Sequence, residues 1–155
     1  MDLRTMRKET LVFLCAVLIL ATEAQSQIWI VNPGVKVGYT FGPDGGFISG
    51  IEVSVTTYLG EKLGAAGVLV SVESLGNLRM THVGIEYFPH PWVGVSLGPT
   101  FIRDEARNDL AWSTTIFGGM FVLPYYRAIL RTDSTHLHEI GTFVKLPIPL
   151  GKIST

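Results

Sequence analysis

The run His136-Leu137-His138-Glu139 holds the residue types of a metal site, imidazoles beside a carboxylate. Its spacing argues otherwise. On an extended segment side chains alternate, so His136 and His138 share a face while Glu139 points away, and the three do not converge on one ion. A histidine pair at a loop or rim is the simpler reading, and neither metal nor cofactor is expected. His82 and Glu86 share a strand face and suggest a proton-sensitive pair; an interior histidine with its hydrogen bonds satisfied explains His82 more simply. Ser113 and Ser134 offer hydroxyl nucleophiles, but no motif ties either to a histidine, and Ser134-Thr135-His136 are merely adjacent in a loop. Catalysis is not expected. Gly42-Pro43-Asp44-Gly45-Gly46 is glycine-rich yet joins strand to strand, so it is no phosphate cradle. Arg103, Asp104, Glu105, Arg107 and Asp109 alternate in sign and read as a solvated loop.

The elements that carry these residues are more informative than the residues themselves. In Phe47–Leu59 (FISGIEVSVTTYL) the odd positions are mostly apolar, and the even ones include Gly50, Glu52, Ser54 and Thr56. That period of two, with its β-branched content, predicts a strand with one greasy and one small, polar face. The pattern recurs over 34–41, 66–75, 78–88, 92–102, 110–123, 125–132 and 137–146. Turn signals such as Gly76-Asn77 separate the segments. Pro99 sits inside its strand, where a bulge or strand end is expected; Pro124 is expected to break the 110–123 strand. Eight strands joined by short turns imply an antiparallel up-and-down meander, and eight is a number that closes into a barrel filled by its own side chains.

Composition limits the function classes. Of 155 residues 47% are apolar and only 16% charged, against about 25% charged in an ordinary soluble domain. The net charge of −1 gives no reason to expect nucleic acid as a partner. Residues 1–27 read as a cleaved signal peptide. Arg4, Arg7 and Lys8 precede an apolar run, Leu11–Ala21, about half the length a spanning helix needs, and small residues follow that fit cleavage after Ala24 or Ser26. Cys15, the only cysteine, would leave with it. The remainder, 28–155, is expected to be one barrel domain with strands over about 34–146 and a short tail.

Which face meets what decides the architecture. A solvated exterior should be thick with charges and amides, but the polar face carries Gly38, Gly50, Gly67, Gly84, Gly94, Gly98 and Gly141 beside Ser54, Ser71, Ser96 and Thr100. Small residues of that kind suit the crowded inside of a narrow barrel. The charges on this face come about one to a strand: Lys36, Glu52, Glu73, Glu86, Arg127, Arg131, Glu139 and Lys145, with His82 beside them. Facing hydrocarbon, each Arg or Lys near the midplane would cost about 2–4 kcal/mol. Within a lumen they can pair.

The pattern resembles the small eight-stranded outer-membrane β-barrels of diderm bacteria over Gly34–Leu146. It shares their dyad alternation, short turns, signal peptide and girdle aromatics, here Tyr58, Tyr87, Trp92, Trp112, Tyr125 and Tyr126. The resemblance implies an all-β, eight-stranded antiparallel up-and-down transmembrane β-barrel in the bacterial outer membrane. It implies outer-membrane lipids and the insertion machinery as partners, an N-terminus in the periplasm, and connections 42–46, 75–78, 103–109 and 131–137 outside the cell. Many such barrels end in an aromatic residue read by the insertion machinery, whereas this chain continues from Pro147 to Thr155, so either the tail is a periplasmic extension or the insertion signal differs. The expected role is non-enzymatic, structural or in surface recognition, around a closed, charge-filled lumen. The alternatives are a soluble lipocalin-like barrel holding an apolar ligand and, more remotely, a lipid hydrolase acting at one rim.

Overall fold

The computed structural model describes residues 29–42, 45–104, 108–132 and 135–150. The expected signal peptide lies outside them, as does Ser134. Eight long strands follow one another: β1 (Trp29–Phe41), β2 (Gly46–Gly60), β3 (Gly64–Leu75), β4 (Leu78–His90), β5 (Val93–Arg103), β6 (Asn108–Gly118), β7 (Val122–Arg131) and β8 (His136–Lys145). Each pairs antiparallel with the next, and β1 pairs with both β2 and β8. The sheet therefore closes on itself as an all-β, eight-stranded up-and-down barrel. Closure removes the unpaired peptide edges that an open sheet of this composition would expose.

Local sequence explains the path. Leu75 pairs with Leu78 across a two-residue turn in which Gly76 takes a φ of +57°, a left-handed conformation that glycine adopts without steric cost. The 110–123 segment is corrected. β6 stops at Gly118, Gly119 turns the chain at a φ of +120°, and β7 already begins at Val122. The apolar pair Met120-Phe121 extended the alternation and hid that turn. Pro124 does not break a strand; it lies within β7 opposite Thr142, beyond the last residues paired with β6, where no donor is required of it on that side. Pro99 marks neither a bulge nor a strand end. β5 runs through it with one register, and the β4–β5 ladder simply lacks its pairs opposite Val83 and Gly84. Gly98 makes this possible, since a Cβ there would stand 2.0 Å from the Val83 carbonyl oxygen.

Two ends extend beyond expectation. β1 starts at Trp29 rather than near residue 34, and β9 (Ile148–Leu150), expected within the tail, pairs with Trp29–Val31. The pair carries the wall past the end of β8 on the side where the described chain begins and ends.

Burial alternates through most of each strand, with exceptions at strand ends such as Thr56 and Thr57, both buried. Outward positions hold Val35, Val37, Ile51, Val53, Val68, Val70, Ile85, Val95, Leu97, Ile116 and Val144, all exposed. Inward positions hold the charges and small polar residues. Ile48, Leu75, Met80, Ile102, Ala111, Ile129 and Leu137 fill the end away from the termini. Phe117, Leu123, Tyr125 and Phe143 cluster toward the end near them. Charges lie between the two clusters and, at Lys145, beside the aromatic one. A lumen filled by charge throughout was too simple: apolar side chains close the far end, and aromatic rings stand among the charges toward the other.

Candidate functional site

Every barrel strand contributes to the polar interior: Lys36 from β1, Glu52 from β2, Glu73 from β3, His82 and Glu86 from β4, Thr100 from β5, Ser113 from β6, Arg127 from β7, Glu139 and Lys145 from β8. Residues far apart in sequence can meet there only because the barrel is closed.

Arg127 is the hub. Its Nη1 donates to both Glu73 oxygens, at 2.9 and 2.7 Å, and its Nη2 donates to Thr100 Oγ1 at 2.9 Å and Ser113 Oγ at 3.2 Å. Lys36 Nζ bridges Glu73 at 2.9 Å and Glu139 at 2.7 Å. Tyr125 donates its hydroxyl hydrogen to Glu139, and Ser71 donates to Glu73 at 2.7 Å. Lys36 and Arg127 thus meet Glu73 and Glu139, and the formal charge of the group cancels. In a low-dielectric interior such a set is tolerable only when nearly every member is paired and hydrogen-bonded.

A second group forms nearer the termini. Lys145 Nζ stands 2.5 Å from Glu52 and 3.2 Å from Glu86. One cation faces two carboxylates, so an acid is in formal excess. Phe143 separates the groups, with Lys36 Nζ 5.6 Å and Lys145 Nζ 5.3 Å from its ring centroid. Cation–π contact adds to both lysines' support.

His82 does not bond to Glu86. Its Nδ1 lies 3.0 Å from the Pro99 carbonyl and 3.0 Å from Thr100 Oγ1. A Cβ at Gly84 would stand 2.9 Å from its Nε2, so that glycine makes room for the ring. Arg131 also stands apart. It pairs at 2.6 Å with Asp109 near the far end, which removes it from the central balance and explains the excess acid there. Asp109, read with its neighbours as a solvated loop residue, belongs to β6 instead. Its odd number places it on the inward face with Ala111 and Ser113, a signal that the alternating charges masked.

Tyr125 is a further correction. Expected among the girdle aromatics, it is 5% exposed, and its hydroxyl occupies space that a Cβ on Gly38 or Gly141 would fill. Counting parity back from Arg127 would have placed it inward. The remaining girdle candidates, Tyr58, Tyr87, Trp92, Trp112 and Tyr126, do face outward. His136 and His138 share the outer face, Glu139 lies inside, and His138 Nδ1 meets the Tyr126 hydroxyl at 2.6 Å. Among the described residues no three His, Cys, Asp or Glu side chains gather as a metal site requires. Ser113 is buried against Thr100 and Arg127, and the Thr100 hydroxyl stands between it and His82.

Fold and interior together define a closed, eight-stranded up-and-down barrel plugged by ion pairs. No family model and no curated protein matches the chain. Among solved structures, the solution NMR structure of the de novo designed TMB2.3 is similar, at 15% identity and a TM-score of 0.48, covering 79% of this chain and 98% of that one.

Proposed function

We propose that the protein is an integral outer-membrane β-barrel, non-enzymatic, with a closed lumen and a structural or surface-recognition role through the connections at the end away from its termini. One observation carries the reading. Among the described residues the outward-facing charges Glu61, Lys62, Arg79 and Arg103 sit only at the barrel's two ends, and the wall between them holds no Asp, Glu, Lys or Arg and is mainly apolar, with Ser49, Thr81, Thr114 and Thr142 as its small polar positions. Soluble monomers rarely expose a contiguous apolar patch beyond about 300–600 Å², and a belt around the whole circumference suits hydrocarbon instead. Strands of 10 to 15 residues meet the roughly 9–11 that a tilted strand needs to cross a bilayer. Outer-membrane lipids and the insertion machinery are the partners this reading requires.

A lipocalin-like role finds less support, because paired charges occupy the interior where an apolar ligand would sit. Rim hydrolysis would need a serine beside the exposed histidines, and Ser113 lies in the lumen. The test is fractionation. The protein should sediment with outer membranes, require detergent for extraction, and migrate differently on a gel before and after boiling. Recovery as a soluble monomer without detergent would overturn the reading.

A further inference from the structure

Arg79 of β4 and Arg103 of β5 occupy directly opposite positions on the outer wall, at the end away from the termini. Like charges in that cross-strand relation repel, at Cβ separations of about 4.5–5.5 Å. Yet among the described residues the Arg79 side chain makes no hydrogen bond or ion pair, and the Arg103 side chain makes one, from Nε to Asn108 Oδ1 at 3.2 Å. That bond orients the guanidinium and leaves its outer N–H groups available. Both arginines line a recess of about 650 Å³ whose apolar part is formed by Val72, Phe101 and Leu110. Asp109, also at the recess, is held by Arg131 at 2.6 Å and so offers little repulsion to an anion.

We propose that this recess binds a phosphate-bearing membrane lipid, with Arg79 and Arg103 clamping the phosphate and the acyl chains lying down the wall over Phe101, Leu110 and Val72. Two planar guanidinium forks match phosphate oxygens in paired hydrogen bonds, and a dianionic group between them removes the repulsion that the bare pair suffers. The largely apolar strip directly below, two cross-strand pairs further along on the same face (Thr81 opposite Phe101, and Phe101 opposite Leu110), explains why the occupant is a lipid and not a free anion. The inference rests on the reading of the wall as lipid-facing.

The experiment uses the full barrel in a maltoside detergent, which carries no phosphate, titrated with dioleoyl phosphatidic acid and followed by native mass spectrometry. One tightly held lipid per barrel is expected. Affinity should fall at least about tenfold in Arg79→Ala/Arg103→Ala, a change of about 1.4 kcal/mol or more, and stay unchanged in Lys62→Ala at the opposite end. Unboiled gel migration verifies that each variant is folded. Should the double variant not fold, Arg79→Gln replaces it, and wild-type affinity there overturns the proposal. Equal binding of dioleoylglycerol, or inorganic phosphate occupying the site as tightly as the lipid, also overturns it. A barrel that needs detergent yet ignores phosphatidic acid loses the clamp alone; a protein soluble without detergent loses the membrane reading first.

Discussion

Glu52 and Val53 are neighbours on β2 and face opposite worlds: the first is 4% exposed, the second 46%. The faces they represent are built by different rules. The outer wall asks mainly that a side chain be apolar, so valines, isoleucines, leucines and aromatics alternate along it with few specific pairings, Tyr126 with His138 among them. The inner wall is a fitted assembly, where Gly38 and Gly141 leave the space that Tyr125 fills and Arg127 requires Glu73 from four strands away. Shape and partner matter inside; polarity matters most outside. Substitutions should therefore fail for different reasons on the two faces.

The largest loss is expected inside. Arg127→Met keeps the bulk but strips both Glu73 and Glu139 of a cation, and leaves Thr100 and Ser113 without their donor. Breaking a buried ion network by removing one member costs about 3–5 kcal/mol. Denaturant unfolding in detergent micelles would measure it. A midpoint at the wild-type value would show that the lumen is not held by this hub, and the contrast between the faces would collapse.

A charge placed outside comes second. In the lipid-facing reading Val53→Arg should destabilise by about 2–4 kcal/mol and reduce the folded, unboiled gel form, because an unpaired guanidinium near the midplane must be desolvated. Val53→Leu should leave that form unchanged, since the wall selects for polarity and not for fit. Equal behaviour of the two variants would mean that water, not hydrocarbon, covers β2.

Much of this was legible in alternation alone, and the failures have physical causes. Lys36, Glu52, Glu73, His82, Glu86, Arg127, Glu139 and Lys145 were placed inward by a period of two that neighbouring turns left undisturbed. Tyr125 was lost because its aromatic type was read as a girdle residue, although Arg127, two positions on in the same 125–132 segment, carried the phase that turns it inward. Asp109 was lost because alternating charges beside it look solvated whether or not a strand runs through them. Which charges would meet was not legible at all. Arg127 and Glu73 are joined by the closure of the barrel and the stagger of its strands, quantities set by all the ladders together and by no single segment.

The smallest effect falls within the lumen itself, between its two ion groups. Around Arg127 the charges cancel, whereas Lys145 alone answers Glu52 and Glu86. Glu52→Gln removes one negative charge from the group that has it in excess and keeps an acceptor oxygen within reach of Lys145 Nζ. Its cost should stay within about 1 kcal/mol, the scale of one exchanged hydrogen bond. Unfolding midpoints measured beside Arg127→Met make the comparison direct. A loss as large as that of Arg127→Met would mean that the two carboxylates hold Lys145 cooperatively, and that formal charge balance does not govern which buried acids this barrel can spare.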